Sequence, residues 1–328
     1  MRGTPGLELE GLASGSASPH LSRMTRALLL ASALAGLAWA AYRPAPSAMA
    51  SQESAIVFMD PEISWDPETP GEGRLFRLRV VASEHSPLLG VHGVVAGEEL
   101  HFERLGDRVF ESLAAIPVGT DTSVTATFRI VYEAGGEKRI AESIPVQSGD
   151  YRLERLTVAP RFGAPPDSAD QARLRRDQAM ARAASATSHR TPRIWDETVV
   201  LPRDSRVTSG FGDGRVFNGQ VSSRHMGLDL QGLRGDTVVA ATRGVVELVE
   251  PFLLAGNVVY LNHGAGLLSA YFHLSRQLVE VGDTLDAGDP VGLVGATGRV
   301  TGPHLHWVVR YGRTSVDPRS LLDVAGAN

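Results

Sequence analysis

The segment Gly302-Pro303-His304-Leu305-His306-Trp307-Val308-Val309 sets two histidines either side of one leucine, at the head of a β-branched run. Successive side chains of a strand point to opposite faces, so His304 and His306 share one face and Leu305 takes the other. Two imidazoles held side by side on a rigid strand suit zinc chemistry. A His-x-His pair alone is not diagnostic, because most such pairs bind nothing. A second cluster upstream, His225-Met226-Gly227-Leu228-Asp229, adds a nitrogen and a carboxylate oxygen, both good zinc donors. Between the two clusters lies a further histidine, His273, in Ser269-Ala270-Tyr271-Phe272-His273-Leu274-Ser275.

Together with Ser209-Gly210-Phe211-Gly212, these segments resemble the lysostaphin/LytM-type zinc metalloendopeptidases, which cut peptides of bacterial peptidoglycan. The resemblance runs over residues 199–322, and the joint occurrence of the motifs, in order, is specific. It implies His225, Asp229 and His306 as ligands of one zinc ion per chain, and His273 and His304 as two catalytic histidines flanking it. None of the five positions departs from the family pattern. The resemblance further implies a duplicated-hybrid-motif β-sandwich with an open groove. It also places Phe217-Asn218-Gly219 where the family often carries substrate-contacting residues, so Asn218 is a candidate substrate contact. Asn-Gly is equally well suited to a plain turn.

Peptide hydrolysis needs an activated water, a stabilised oxyanion and a proton for the leaving amine. Three protein ligands leave zinc a fourth position for these tasks. The chain has no His-Glu-x-x-His, so a thermolysin-type glutamate base is excluded. His304 and His273 take the roles of general base and of stabiliser or proton donor, in an order the sequence leaves open. His263, in Asn262-His263-Gly264, reads as structural. Thr242-Arg243-Gly244 and Gly295-Ala296-Thr297-Gly298 follow no phosphate-loop spacing, which excludes nucleotide binding.

Outward from this core, residues 199–311 alternate Gly-rich turns with short Val/Leu strands, an all-β pattern. A peptidase domain is expected over residues 194–328, with a strand-rich core of its own that should let it fold and act alone. Residues 162–193 read as a helix and linker. Asp167 or Ser168 is a good N-cap, residues 169–186 are rich in helix formers, and the large apolar residues are few, chiefly Leu174 and Met180. Its arginines (Arg173, Arg175, Arg176 and Arg182) read as a solvated face, with contact to anionic wall polymer or lipid as the alternative. Trp195 is expected to dock the linker onto the peptidase domain.

Residues 51–161 carry period-two alternation. Leu75-Phe76-Arg77-Leu78-Arg79-Val80 alternates apolar with charged, and Val124, Ala126, Phe128, Ile130 and Tyr132 form one face. Hairpins are expected over 100–111 around Gly106-Asp107 and over 124–146 around Ala134-Gly135-Gly136. Such short strands suggest a small immunoglobulin-like domain. His85, His92 and His101 there lack a carboxylate cluster and read as structural, leaving substrate or partner binding as the domain's functional alternative.

Residues 1–50 read as an N-terminal extension with a secretory signal. Arg23-Met24-Thr25-Arg26 precedes an apolar run over 27–42, followed by Pro44, Pro46 and a small-x-small site at Ala48-Met49-Ala50, with Ala38-Trp39-Ala40 as a second candidate. The run is short for a spanning helix, which needs ~20 residues, and an uncleaved membrane anchor is the alternative. The composition of the 328-residue chain is that of an ordinary globular protein. A net charge of −5 gives no reason to expect nucleic acid, and the absence of cysteine excludes disulfides and thiolate-bound metal.

The sequence thus predicts an exported enzyme of the periplasm or cell envelope, a zinc endopeptidase acting on peptidoglycan peptides. A D-Ala–diaminopimelate cross-link is preferred over pentaglycine, since no glycine-bridge targeting domain is recognisable. The alternative is a non-catalytic wall-binding protein or an activator of another hydrolase, a class in which ligands are lost. A topology reporter fused after Arg161 should be active only outside the cytoplasm; activity confined to the cytoplasm would contradict the export reading.

Overall fold

The structure is a computed structural model, and it describes residues 57–163, 165–219 and 221–326. The expected signal, its cleavage sites and the N-terminal extension lie outside the described residues. No described helix is long and apolar enough to cross a membrane.

Two four-stranded antiparallel sheets come first. One orders Glu62–Asp66, Leu75–Val81, Val109–Ala115 and Glu103–Leu105; the other orders Glu98–Leu100, Leu88–Val95, Ser123–Tyr132 and Glu137–Pro145. The alternation read from the sequence is the cause. Phe76, Leu78 and Val80 are buried on one side and Ala126, Phe128, Ile130 and Tyr132 on the other. The expected hairpin over 100–111 is divided between sheets. Glu103–Leu105 pairs with Val109–Ala115, but Leu100 belongs to Glu98–Leu100, which pairs with Leu88–Val95.

The C-terminal half is built on an eight-stranded sheet. Its order is Val207–Ser209, Leu228–Gln231, His304–Tyr311, Leu267–Leu274, Gly256–Gly264, Gly244–Phe252 and Thr284–Leu285, with Thr314–Val316 beside His304–Tyr311. A three-stranded sheet of Thr237–Val239, Pro290–Leu293 and Arg276–Gln277 accompanies it. Leu228, Leu230, Leu305 and Trp307 fill one face of the large sheet and are fully buried. His263 is structural in its contacts: Nδ1 meets the Arg243 carbonyl at 2.8 Å, Nε2 meets Ser269 Oγ at 2.8 Å, and burial pushes its pKa down to about 4.

The helix Ser168–Arg190 starts where Asp167 Oδ1 accepts the Asp170 N–H at 2.8 Å. It lies on the sheet through Ala184, Met180 and Ala181 against Tyr260, Leu268, Ala270 and Val308. Its buried residues, Asp177, Ala184, Ser185 and Ser188, are small or hydrogen-bonded, which explains why a thin apolar stripe suffices. Asp177 accepts the Leu253 N–H at 2.7 Å. Arg176 pairs with Glu250 at 3.0 Å and Arg173 donates to the Pro251 carbonyl at 3.3 Å, so half of the basic face is spent inside the molecule.

The segment 153–158 departs from the sequence expectation. Leu153–Leu156, expected within the first β domain, adds as a parallel strand to Gly214–Phe217, which pairs in turn with Val221–Arg224. The two halves also share one hydrophobic core, to which Leu75, Phe76, Val316 and Leu321 all belong. Ser320 Oγ accepts the Leu75 N–H at 3.0 Å, Arg77 donates Nε to the Val324 carbonyl at 2.8 Å, and Trp195 is buried under the Arg193 guanidinium. His101 Nε2 lies 2.8 Å from His189 Nδ1, joining the first sheets to the helix, while His85 and His92 are exposed.

A fragment of residues 194–328 therefore loses a strand and part of its core. Its thermal midpoint should fall well below that of a chain beginning at residue 57, by ten degrees or more on the order expected for several kcal/mol. Equal midpoints would show that the peptidase half is self-sufficient.

Candidate metal centre

Register creates the site. Leu228–Gln231 pairs antiparallel with His304–Tyr311 so that Asp229 stands opposite His306 and Gln231 opposite His304. With Leu228, Leu230, Leu305 and Trp307 on the buried face, Asp229, His304 and His306 must emerge on the other. His225 enters from the connection before Leu228. His306 Nδ1 lies 2.7 Å from Asp229 Oδ1, His225 Nε2 lies 3.0 Å from the same oxygen, and the two nitrogens are 2.9 Å apart. His225 and Asp229 are buried, and 12% of the His306 side chain is exposed. Gly227 is required here, since a Cβ would come within 2.7 Å of the His306 ring and 2.6 Å of the Trp307 carbonyl.

Hydrogen-bond bookkeeping shows what the cluster lacks. His225 Nδ1 faces the Gly210 carbonyl, which can only accept, so Nδ1 carries the proton and Nε2 presents its lone pair. That lone pair points at a carboxylate oxygen and a second imidazole nitrogen. Only a cation between them, a further proton or a metal ion, reconciles the three. Burial draws the His306 pKa down to about 4 against the opposite pull of Asp229, so its ring is neutral at physiological pH, as a ligand's must be. Burial would raise the Asp229 pKa, but the contacts with His225 and His306 outweigh it and hold the carboxyl well below the usual range. Two imidazole nitrogens and one carboxylate oxygen, His225, Asp229 and His306, are the donor set that zinc takes with an open fourth position.

The second oxygen of Asp229 is held by a residue that the sequence reading missed. Arg215 Nη2 donates to Asp229 Oδ2 at 2.6 Å and to Ser209 Oγ at 2.7 Å, while Arg215 Nε donates to Glu154 Oε2 at 2.8 Å. Ser209 Oγ donates to Glu154 Oε1 at 2.8 Å. Arg215 and Glu154 stand on adjacent parallel strands and are directly opposite in register. Nothing in the spacing of the sequence pairs them, because they are 61 positions apart and the pairing crosses the expected domain boundary.

The two non-ligand histidines reach the same place by different routes. His304 lies on the ligand strand, its Nε2 3.6 Å from Asp229 Oδ1 and its Nδ1 2.9 Å from the Gly302 carbonyl. His273 ends the neighbouring strand, where Phe272 stands opposite His306 and stacks on it with centroids 5.3 Å apart. Alternation would turn His273 away from Phe272's face, but His273 has a φ of 62°, a left-handed conformation uncommon outside glycine. Its ring comes to 5.0 Å from that of His304 and 5.7 Å from that of His306. Nδ1 lies 2.8 Å from the Thr297 carbonyl, and burial together with His306 and His304 pulls its pKa well below normal. Both histidines thus carry the proton on Nδ1 and keep Nε2 free to accept one.

Asn218 is not brought to the cluster. Its side-chain amide accepts the Val158 N–H at 3.0 Å and donates to the Val158 carbonyl at 3.1 Å, and its φ is 50°. It fastens the segment after Leu153–Leu156 through these two bonds. A cleft of about 300 Å³ lies at the cluster, with Glu154, Leu156, Val158, Asp229, His273 and His304 among its lining residues.

Comparison with known proteins agrees with this geometry. Residues 223–318 match the model of Peptidase family M23 and form a domain of that family, the lysostaphin/LytM type. The chain is 37% identical over 118 residues to peptidoglycan DD-endopeptidase ShyC of Vibrio cholerae, covering 35% of this chain and 27% of that protein. It is 40% identical over 111 residues to ShyA, also a peptidoglycan DD-endopeptidase of Vibrio cholerae, covering 32% and 25%. The matches thus span about a quarter of these relatives. A crystal structure of a protein assigned to peptidase M23 from Pseudomonas aeruginosa shares the fold, with a TM-score of 0.59 at 24% identity over 79% of this chain and 96% of that one.

Substitution of His225, Asp229 or His306 by alanine should remove most bound zinc, since each leaves only two ligands. Arg215→Ala should keep the ligands yet weaken zinc affinity by ~10–100-fold, the usual cost of losing a group that orients a ligand. Competition with a chromogenic chelator measures both; unchanged affinity in Arg215→Ala would contradict the role given to it.

Proposed function

We propose that this protein is an exported zinc metalloendopeptidase that hydrolyses peptide cross-links of bacterial peptidoglycan. The observation that carries the reading is the convergence of His225, Asp229 and His306 beside two further imidazoles whose Nε2 atoms are uncommitted. The M23 domain match and relatives named peptidoglycan DD-endopeptidases support the substrate class.

Zinc bound by the three ligands would polarise a scissile carbonyl and acidify a water molecule. The chain's own groups then manage the protons. His304 Nε2 and His273 Nε2 are lone-pair sites at the edge of the cluster, and either can take a proton from the attacking water. The backbone carbonyls of Gly302 and Thr297 hold both rings by Nδ1, so an imidazolium formed there stays in place to return its proton to the leaving amine. Phe272, stacked on His306, keeps that ligand from rotating. Asp229, whose carboxyl is held well below the usual range, stays ionised and accepts from the Arg215 guanidinium, which keeps the ligand set at a single negative charge.

The second reading, a wall-binding protein or activator without turnover, is disfavoured by the retention of all five positions and by the left-handed φ spent on bringing His273 in. An envelope location and the preference for D-Ala–diaminopimelate cross-links belong to the proposal. His304→Ala and His273→Ala should each retain zinc and thermal midpoint while losing ~10²–10³-fold or more in turnover of purified sacculi. Near-normal turnover in both variants, with zinc bound, would refute the catalytic roles; lost zinc would make them ligands.

A further inference from the structure

The active-site cleft contains two arginines in opposite circumstances. Arg215 donates through Nε and Nη2 to Glu154, Ser209 and Asp229. Arg299, on the connection leading to His304, has only its backbone engaged, through its N–H to the Leu254 carbonyl at 2.8 Å. Among the described residues, no carboxylate, carbonyl or hydroxyl accepts from its guanidinium. The group is not simply projecting into water. It is partly buried, and its Cζ lies over the Phe217 ring, 3.9 Å from the ring centre.

A half-buried guanidinium with five unused donors is costly unless something occupies them. Its surroundings reinforce this: burial and the nearby charge of Arg215 both lower the pKa of Arg299. The other apolar residues of the cleft, Leu156 and Val158, offer no anion, and Glu154 is already bound to Arg215 and Ser209. A guanidinium placed over an aromatic ring with its N–H groups unused can donate two parallel hydrogen bonds to a carboxylate.

We propose that Arg299, stacked on Phe217, is a carboxylate-binding subsite of the cleft, so that the preferred substrate carries a free carboxylate on a residue next to the scissile amide. The inference rests on the peptidase reading and sharpens it. A cross-link whose amine-side residue keeps its own carboxylate, as in D-Ala–diaminopimelate, fits the subsite; a glycine bridge has none to offer. The same contact could be made by the carboxylate at a peptide's C-terminus, and the two sources differ only in where amidation removes the charge.

The test uses the zinc-loaded mature chain and three synthetic cross-linked peptides: both carboxylates free, the cross-linked residue amidated, and the C-terminus amidated. Both binding and kcat/KM are measured. Amidation at the recognised position should cost the wild type ~10–100-fold in both quantities, on the scale of a lost charge-assisted pair. Arg299→Gln should lose the same factor on the free peptide and little further on that amidated peptide. Arg299→Lys, which keeps the charge without the fork, should recover part of the loss. A thermal midpoint close to wild type in either variant separates recognition from folding. Equal losses on free and amidated peptides, or no effect of either amidation on the wild type, would overturn the subsite. Carboxylate-dependent binding without hydrolysis would leave the subsite standing and overturn the peptidase reading instead.

Discussion

Antiparallel pairing of Leu228–Gln231 with His304–Tyr311 sets Asp229 across from His306, and the candidate site depends on that register. A slip of Leu228–Gln231 by one residue would exchange its faces, burying Asp229 away from His306 and exposing Leu228 and Leu230. Two or more large apolar side chains would then face solvent, each forfeiting roughly 1.5–3 kcal/mol of burial. The core residues on the far face therefore enforce the geometry of the polar ones. Gly227 completes the arrangement by leaving room for the His306 ring, and the left-handed φ of His273 brings in the one imidazole that sheet alternation would have turned away.

The segment between the two halves is part of the site. Leu153–Leu156 runs parallel to Gly214–Phe217, its Glu154 fixes Arg215, and Arg215 fixes the outer oxygen of Asp229. Asn218 and Val158 exchange two hydrogen bonds just beyond, holding the cleft wall that Arg299 and Phe217 face. The first β domain is thus coupled to the cluster through a chain of direct contacts. Displacement of that strand would release Arg215, and the metal site and the cleft wall would change together.

The C-terminal strands and the shared face of His304 and His306 were legible in the sequence because both are written locally, while the grouping of these two with His225, Asp229 and His273 came only from the family resemblance. Alternation specifies strands, and His-x-His on a strand specifies a shared face. Leu75–Val81 and Ser123–Tyr132 were legible for the same reason. Arg215 and Glu154 were not, since their pairing depends on a long-range parallel strand that leaves no periodic trace. Asn218 sat beside the site in sequence and still turned its amide to Val158, because an Asn-Gly turn serves a backbone contact as readily as a ligand. The core shared across the expected boundary was hidden on the same ground: Leu75 and Leu321 lie in one core although they are far apart in sequence. Arg299 carried no signal until the structure placed it against Phe217 with nothing to bind.

The claim underlying all of this is that His225, Asp229 and His306 hold a metal and leave one position open. X-ray absorption at the zinc edge of the loaded protein reads that coordination directly. The account expects a four-coordinate site of light donors at about 2.0–2.1 Å, with multiple-scattering features of two imidazoles and one exchangeable oxygen. Three or four imidazoles in the shell would make His304 or His273 a ligand, and zinc spread over six oxygen-rich positions would place it outside the cluster. Either result would contradict the account.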